Sequence, residues 1–335
     1  MKSPITGKEM KLTHEMRAVN YRKETLEIPY QFYLCEDTKE QFTTSSLDDF
    51  NLALLHNAYR AKYNLPFPDE IKNIRTKYDL SASRIAEILG FGTNVYRKYE
   101  NGEVPSLSNA RLIQTIENPA SFAELLERWE APDEPIKEKV TKRVQRLVID
   151  QELNRFSIDF DNYLMGEEKP DEFTGYCRPS MPKLTEMVVF FSSLKECYKT
   201  KMNKLLFYSD FEMYRKHGQS ISGTRYRAIP YGPVPEKYQS IFDKLSHMDE
   251  VDMFYQDFDN GARTEYLAVR EDRPFNKGLF SEAEIEVLQK IKTQLGNKST
   301  RDIVQLSHKE SAWSMHKHDH SLINYHFAFD LQAVK

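Results

Sequence analysis

The sequence predicts an α+β protein of several domains, because three regions of the chain follow different hydrophobic patterns. Near the N-terminus apolar and polar residues alternate as in a half-buried strand, the middle has helical spacing, and the C-terminal part mixes both. With 335 residues the chain exceeds what one hydrophobic core organises well. We expect a small β-module at 1–45, an all-α domain at 46–130, a helical connector at 131–182, and a mostly helical α+β domain at 183–335.

Composition limits the class of protein and the compartment. Hydrophobic residues make up 40% and charged residues 29%, which is enough to build a core. No apolar run approaches the roughly 18 residues that span a bilayer, and the N-terminus lacks the apolar stretch of a signal peptide, so we expect a soluble, cytoplasmic protein without a membrane partner. The thiols of Cys35, Cys177 and Cys197 form no paired motif and are expected to be reduced.

The first elements are a strand and a helix. Period-two alternation between Thr25 and Thr43 predicts a strand, with Phe42 on its hairpin return. A helix is predicted from Ser46 to Tyr63, with Ser46 and Asp49 as its start signal.

The middle of the chain is predicted to be helical throughout. Between Phe67 and Ala123, helix-breaking Gly, Pro and Asn residues recur at intervals that indicate four or five short helices. A long amphipathic helix then runs from Ile136 to Leu164. Its basic residues could touch DNA phosphates, although such a run is more often a solvated face. These residues are Lys137, Lys139, Lys142, Arg143 and Arg146.

The C-terminal part is predicted to contain both helices and strands. Ser281 followed by Glu284 is the start signal of one helix. The predicted helices are Lys183 to Cys197, Met202 to Tyr214, Val234 to Leu245 and Ser281 to Leu295, and the predicted strands are Thr224 to Ile229, Asp252 to Phe258 and Glu265 to Val269.

The strongest local signal is a helix-turn-helix between Ser81 and Gly102. Ser81 is predicted to cap a first helix, and Gly90 and Gly92 permit a tight turn. The second helix is expected to be capped by Thr93. Ile85, Ala86 and Leu89 of the first helix and Val95 and Tyr99 of the second are predicted to point inward.

The second helix has the side chains of a DNA reader. Asn94 and Lys98 lie four residues apart on one face, where Asn can pair with adenine and Lys with guanine or phosphate. From Ile71 to Glu100 there are six basic and three acidic residues, whereas the whole chain has a net charge of −4. Because similar helix pairs also occur in purely structural bundles, the structural alternative stays open. The predicted DNA-binding residues are Thr93, Asn94, Arg97, Lys98 and Arg84.

These residues resemble the Cro/repressor-type domain of MqsA-like antitoxins, over about Met1 to Leu126. Asn94, Lys98 and the exit Tyr99-Glu100-Asn101-Gly102 carry the resemblance. MqsA-like proteins begin with a zinc ribbon of two C-x-x-C pairs, and only Cys35 matches a ligand here. The resemblance therefore implies a degenerate zinc ribbon without metal, and we expect Tyr30, Phe32 and Phe42 to fill its core.

The region from Lys183 to Trp313 resembles the Panacea (SocA-like) antitoxin domain. Three stretches carry this resemblance: Asn203 to Asp210, Tyr226 to Val234 and Leu306 to Trp313. The first stretch is predicted to form an apolar helix face, which includes Lys204. In the second stretch, Tyr231-Gly232-Pro233 is predicted to form a turn. The resemblance implies neutralisation of a toxin by direct binding. The candidate toxin-binding residues are Tyr226, Arg227, Tyr231 and Trp313, whose types are common both in interfaces and in cores.

No catalytic, metal or cofactor site is predicted. Ser307, His308 and Glu310 contain the residue types of a hydrolase triad, but sequence neighbours rarely reach its geometry. His316, His318 and His320 have a chelating spacing, yet a polar His-rich segment is more often a solvated loop. Gly90-Phe91-Gly92 lacks the rest of a dinucleotide-binding fingerprint.

The sequence therefore predicts an antitoxin that binds a cognate toxin and its own operator DNA. Two recognition helices must lie roughly 34 Å apart on DNA, so we expect a homodimer, held by the helix from Ile136 to Leu164. The alternative is a protein-interaction or proteolytic adaptor, associated with phage, in which DNA binding is secondary. A hydrolase using Ser307 and His308 is a third reading, which would require a deep pocket around them.

Overall fold

The computed structural model describes residues 1–132, 134–166, 169–195, 197–257, 263–268 and 270–335. These residues form two compact units, Met1–Phe160 and Asp161–Lys335. Both units combine helices with small antiparallel sheets, which confirms the α+β class. The division into four domains stays a prediction of the sequence.

The N-terminal unit begins with a three-stranded sheet and continues with helices. The sheet has the order β1-β2-β3. Its elements are β1 (Lys11–Tyr21), β2 (Glu24–Leu34), β3 (Gln41–Phe42), α1 (Ser45–Tyr63), α2 (Pro68–Lys77), α3 (Ala82–Ile88), α4 (Val95–Glu100), α5 (Leu107–Thr115), α6 (Pro119–Glu127), α7 (Glu134–Leu153) and, across the boundary between the units, α8 (Arg155–Met165).

The sheet contains a strand that the sequence pattern does not predict. β1 pairs with β2 along its whole length through a two-residue turn at Arg22 and Lys23, both with positive φ. No residue of β1 is fully buried, so the strand has no buried apolar face, and apolar and polar residues do not alternate clearly along its sequence. Of the predicted core, Phe32 is buried, whereas Tyr30 and Phe42 are only half-buried. The buried apolar residues of β2 are Leu26, Ile28 and Phe32.

The helix α1 begins one residue before the predicted start. Its N-cap is Thr44, whose hydroxyl accepts a hydrogen bond from the Leu47 amide at 3.2 Å, so the predicted start signal at Ser46 is wrong. The threonine is placed to cap because it has extended backbone, whereas Ser46 already lies in the first turn.

The five helices α2 to α6 surround one core, and their number agrees with the four or five short helices predicted from the helix-breaking residues. Two buried tyrosines bond to main-chain carbonyls within it: Tyr78 to Ile116 at 2.6 Å and Tyr96 to Ile71 at 2.8 Å. Val140 and Val144 of α7 are buried in the same core. The first half of the predicted connector therefore packs on the helical bundle.

The C-terminal unit is built around the long helix α10, whose side chains are buried from Lys201 to Tyr214. Its elements after α8 are α9 (Met181–Ser192), α10 (Lys199–His217), β4 (Tyr226–Ile229), β5 (Gly232–Pro235), α11 (Tyr238–His247), β6 (Asp252–Asp257), β7 (Arg263–Ala268), α12 (Glu282–Leu295), α13 (Thr300–Lys309) and α14 (Ser311–Ser314), with short 3₁₀ turns at Lys277–Leu279 and Tyr325–Asp330. The strands form two hairpins, β4-β5 and β6-β7.

Several predicted boundaries in this unit are corrected. The chain does not enter a helix at Val234: Gly232–Pro235 is the strand β5, and the helix begins at Tyr238. The pairing of β5 with β4 overrides the apolar pattern that resembled a helix. The helix predicted to reach Cys197 ends at Ser192. Phe258 and Val269, the predicted ends of two strands, lie outside the described residues.

No helix in the described parts of the chain has both the length and the apolar character needed to cross a membrane.

Candidate functional site

The helices α3 and α4 are joined by a short turn in the N-terminal unit. The Ser81 hydroxyl caps α3 by accepting from the Arg84 amide at 3.2 Å, as predicted. After α3, Gly90 has a φ of +68° and the Phe91 amide bonds back to Ala86 at 2.8 Å. Of the two glycines in this turn, Gly90 has the positive φ that glycine tolerates best.

The inward face of α4 is set by two tyrosines. Tyr96 is fully buried and Tyr99 is 6% exposed, and the half-buried Val95 packs against the same core. Val95 and Tyr99 therefore lie inward as predicted, whereas the inward position of Tyr96 was not predicted. The N-cap is Asn94, without a side-chain capping bond, and Thr93 lies in the preceding turn. The predicted Thr93 cap is therefore wrong: the helix begins one residue later than that cap would place it.

Four of the five predicted DNA-binding residues are exposed on α4 or at its N-terminal end. Thr93, Asn94, Arg97 and Lys98 are all exposed. Arg84 differs from them: it is half-buried, donates to Glu87 at 2.8 Å and lies 5.7 Å from the centre of the Trp129 ring. The arrangement thus leaves the amide of Asn94 and two cations accessible on a helix whose other face is fixed in a core.

A basic cleft of about 480 Å³ lies beside α3. Salt bridges join Lys142 to Glu138 at 2.6 Å and Lys139 to Asp79 at 3.8 Å, but exposed pairs of this kind are weak and salt-sensitive. The cations that line this cleft are Arg84 of α3 and Lys139, Lys142, Arg143 and Arg146 of α7. The sequence allows the basic residues of α7 either to be a solvated surface or to contact DNA. In the structure these cations line a concave site, whose positive charge suits phosphate groups.

The residues at the positions of the zinc ribbon do not fit a zinc ion. Ser3 and Cys35 begin equivalent turns, in which the amides of Gly7 and Lys39 bond to their carbonyls at 2.9 and 2.8 Å. Thr6 lies 3.8 Å from the Cys35 sulfur, and hydrogen bonds from Ser3 first and then Thr38 lower the pKa of this thiol to about 6. One thiolate among hydroxyl groups lacks the four soft or imidazole ligands of tetrahedral zinc.

The three stretches that resemble the Panacea domain meet at the β4-β5 turn. We call Ile229 to Pro233 the clamped turn. Trp313 donates its indole N–H to the Ile229 carbonyl at 2.8 Å, and the Lys204 ammonium donates to the Pro233 carbonyl at 3.0 Å. Residues about a hundred positions apart in sequence thus hold two carbonyls of one hairpin turn.

Gly232 is essential to the packing beneath the clamped turn. Its φ is +98°, and a Cβ atom there would lie 2.5 Å from the Ser307 hydroxyl oxygen and 2.6 Å from Cε of Lys204. Both distances are too short for any side chain to be accommodated without displacement. The close approach of α10 and α13 to this turn therefore requires glycine.

Two titratable groups lie beneath the clamped turn: Lys204, which is buried, and His308, which is half-buried. Burial lowers the pKa of Lys204 to about 7. Burial also lowers the pKa of His308, the nearby Lys204 charge adds to this effect, and the Pro230 carbonyl opposes it. The His308 ring stacks on Trp313 at 3.9 Å between centroids, so both aromatic groups support the turn from one side.

Asp210 organises the segment that leads into β4. Its carboxylate accepts hydrogen bonds from the amides of Ile221 and Ser222 at 2.9 and 2.8 Å, and from the hydroxyls of Ser222 and Tyr226 at 2.6 and 2.7 Å. Burial raises the pKa of Asp210, and the bonds from Ser222 oppose this shift. The carboxylate is fully buried, so these bonds replace its hydration.

The structure separates the four candidate toxin-binding residues. Tyr226 is fully buried against Asp210, so no partner can reach it in this conformation. Tyr231, at the tip of the clamped turn, is 69% exposed. Arg227 and Trp313 are half-buried, and Arg227 also donates to the His320 carbonyl at 2.7 Å. The surface candidates are thus Tyr231, Arg227 and Trp313.

Ser307, His308 and Glu310 do not assemble as a catalytic triad. The Ser307 hydroxyl donates to the Val304 carbonyl at 2.8 Å, and Glu310 accepts from Tyr208 at 3.2 Å and from two main-chain amides of the C-terminal segment. His308 instead stacks on Trp313. Within the described residues, no group of three His, Cys, Asp or Glu side chains is placed to hold a metal, and this includes the histidines from His316 to His320.

The class of domain that these features define is a helical α+β domain with a rigid turn whose tip is exposed. Residues 202–314 match the family model described as antitoxin SocA-like, Panacea domain. The match covers about a third of the chain and includes all three stretches that meet at the clamped turn. This part of the chain is therefore similar to an antitoxin domain. No curated protein matches the chain.

Two neighbours of the clamped turn have roles that the sequence does not reveal. Asn203 and Lys204 lie side by side at the floor of a cleft. The signal that the sequence offers is Lys204, a charged residue on a helix face that is otherwise apolar and predicted to be buried.

Proposed function

We propose that this chain is an antitoxin of a type II toxin-antitoxin system, in which the C-terminal unit neutralises a toxin protein by direct binding and α4 binds the operator of its own operon. The observation that carries the proposal is the match of residues 202–314 to the Panacea antitoxin family. The protein would act in the cytoplasm, where its operator is located.

The clamped turn supports the role in toxin binding. Two of its carbonyls are held by Trp313 and Lys204, so its backbone is restrained before any partner arrives. Tyr231 at its tip is exposed, and tyrosine is among the residues enriched at the centres of interfaces. A preorganised turn loses little conformational freedom on binding.

Co-expression with the product of the adjacent gene tests this role. We expect that protein alone to arrest growth, and this chain to restore growth and to co-purify with it. A Tyr231→Ala variant should bind it at least tenfold more weakly, since an interface hot spot contributes about 2 kcal/mol or more. A harmless neighbour that does not co-purify would contradict the antitoxin function and favour the adaptor or a plain repressor.

The exposed face of α4 and the basic cleft support DNA binding. Asn94 and Lys98 are exposed on a helix fixed by Tyr96 and Tyr99, as base reading requires. The cleft between Arg84 and α7 offers cations to the phosphate backbone. Base contacts would come from α4 and backbone contacts from Arg84, Arg97 and the cleft.

Replacing both Asn94 and Lys98 by alanine should abolish sequence discrimination. Each base contact provides about 1–3 kcal/mol, so affinity for DNA from upstream of the gene should fall at least about fivefold for each substitution. Fluorescence anisotropy at fixed salt, with upstream and shuffled duplexes, measures both affinities. Lys72→Ala, which removes an exposed cation from the same unit, should retain the discrimination. Unchanged discrimination in the double variant would show that α4 is not the reader.

An exposed apolar stripe on α7 and α8 supports a homodimer. Ile149, Leu153, Phe156 and Phe160 are 56%, 78%, 84% and 40% exposed. Their alternating spacing of four and three residues is that of a coiled-coil seam. Backbone bonds from Asn154 to Asp150 and from Ile158 to Asn154, both 3.0 Å, continue the helical pattern between the two helices. We propose that this stripe binds a second copy of the chain.

Placing charges on the stripe should produce a monomer. The double variant Leu153→Glu, Phe156→Glu removes two large apolar contacts, each worth about 1.5–3 kcal/mol when buried. Sedimentation velocity over a concentration series should show loss of the dimer. Gln151→Glu with Arg155→Glu changes the charge on the side of α7 and α8 opposite the stripe and should leave the dimer intact. A double variant Leu153→Glu, Phe156→Glu that remains dimeric would show that the interface lies elsewhere.

A further inference from the structure

A cleft of about 480 Å³ opens beside the clamped turn in the C-terminal unit. Its walls are the first turns of α10 and α11, the β4-β5 hairpin and the β6-β7 hairpin. Its size lies within the range of sites that bind small ligands or the side chains of a partner. Elements from four separate parts of the sequence build this site.

The floor of the cleft has an unsatisfied acceptor beside a donor with spare capacity. Asn203 is 2% exposed, and among the described residues its side-chain Oδ1 has no hydrogen-bond partner. Lys204 is fully buried, and the one bond that its Nζ makes within the described parts of the chain is to the Pro233 carbonyl. Buried polar atoms are nearly always paired in folded proteins. An occupant that donates to Asn203 and accepts from Lys204 would complete both groups.

The charges at the cleft do not favour a highly anionic occupant. Lys199 forms salt bridges with Glu265 and, at 3.7 Å, with Asp243. These carboxylates compensate Lys199, so Lys204 is the remaining cation among the described lining residues. A polyphosphate carries several negative charges and would meet the lining carboxylate Glu265 and one uncompensated cation, Lys204, whereas a neutral group with one donor and one acceptor matches the floor.

The rim of the cleft has the composition of a protein-binding surface. Tyr231 and Tyr255 are 69% and 56% exposed, and Tyr238 lines the same wall half-buried. Tyrosines provide large contact areas together with a polar tip. A peptide group with flanking side chains would use both the polar floor and the aromatic rim.

We propose that this cleft holds an extended segment of the toxin, of which one main-chain amide donates to Asn203 and the neighbouring carbonyl accepts from Lys204. The inference rests on the proposed neutralisation by direct binding, and adds the place and the chemistry of the contact. Tyr231 would then contact the toxin at the edge of the same site.

Two cleft variants and a matched control test the proposal. Asn203→Leu removes the acceptor and keeps the branched shape of the side chain at a larger volume, and Gln239→Trp adds bulk at the exposed mouth of the cleft. Glu286→Trp adds the same bulk on the exposed side of α12. Affinities of the full chain for the co-expressed toxin are measured by calorimetry. A photo-crosslinking amino acid at position 239 then maps the toxin peptide that lies at the mouth.

We expect both cleft variants to bind at least tenfold more weakly, Glu286→Trp to bind like the unmodified chain, and the crosslinks to fall in one contiguous toxin segment. Should Asn203→Leu fail to fold, Gln239→Trp and the crosslinks decide the matter. Toxin binding that both variants retain within twofold overturns the cleft proposal but leaves the antitoxin function intact. A small molecule found bound by native mass spectrometry, which Gln239→Trp abolishes without changing toxin affinity, also overturns it. Absence of any toxin binding by the unmodified chain overturns the proposed function itself.

Discussion

Replacing Asp210 by alanine is expected to destabilise the C-terminal unit by about 3–5 kcal/mol, because several buried donors lose their acceptor at once. The carboxylate accepts from two amides and from the hydroxyls of Ser222 and Tyr226. These groups are fully buried. Water could replace the carboxylate as their acceptor only by occupying the cavity that the substitution leaves. Asp210→Asn should cost less, since its carboxamide retains one acceptor oxygen.

The two tryptophans of the chain permit this measurement for one unit. Trp313 lies in the C-terminal unit and Trp129 in the N-terminal unit, so urea unfolding followed by fluorescence in a Trp129→Phe background reports the unit that contains Asp210. Glu286→Ala, an exposed carboxylate on α12, should change the free energy of unfolding by no more than about 0.5 kcal/mol. A cost below about 1 kcal/mol for Asp210→Ala would contradict the described network.

Gly232→Ala is expected to cost about 3 kcal/mol, from two effects that add. A residue with a Cβ atom is strained at a φ of +98° by about 1–2 kcal/mol. The new methyl group must also displace Lys204 or Ser307, and forcing extra atoms into a packed site costs about 1–3 kcal/mol. Both displaced groups hold hydrogen bonds that support the turn or α13.

Gly102→Ala separates these two effects. Gly102 has nearly the same φ, +102°, but a Cβ atom there would have no neighbouring atom within 4 Å, so only the backbone strain applies. Its free energy of unfolding is followed through Trp129 in a Trp313→Phe background. We expect a cost of about 1–2 kcal/mol for Gly102→Ala. Equal costs at the two glycines would show that Gly232 is not confined by its neighbours.

Local signals predicted the helix starts that depend on adjacent residues. Ser281 and Glu284 form the predicted capping box, with bonds of 3.3 and 2.7 Å. Ser81 caps α3 for the same reason. A cap is formed by residues three apart, so the sequence contains both partners.

Elements that depend on distant partners could not be predicted in this way. β1 is held by β2 while its own residues are mostly exposed, and β5 is a strand because it pairs with β4. Tyr226 shows the same limit for the site: its residue type suits an interface or a core, and it is placed in the core by its bond to Asp210 and by packing on distant aromatic rings such as Tyr325. The cleft over Asn203 requires four separate elements and leaves no sequence motif.

The clamped turn has a consequence for how such domains can diversify. Of the residues that hold it, Lys204 is buried and Trp313 is half-buried, whereas Tyr231 at its tip and Tyr255 at the cleft rim are exposed. The supporting contacts can thus stay the same while the exposed residues vary. On the proposed function, substitutions at the rim would exchange one partner for another, and domains with the same frame need share no target.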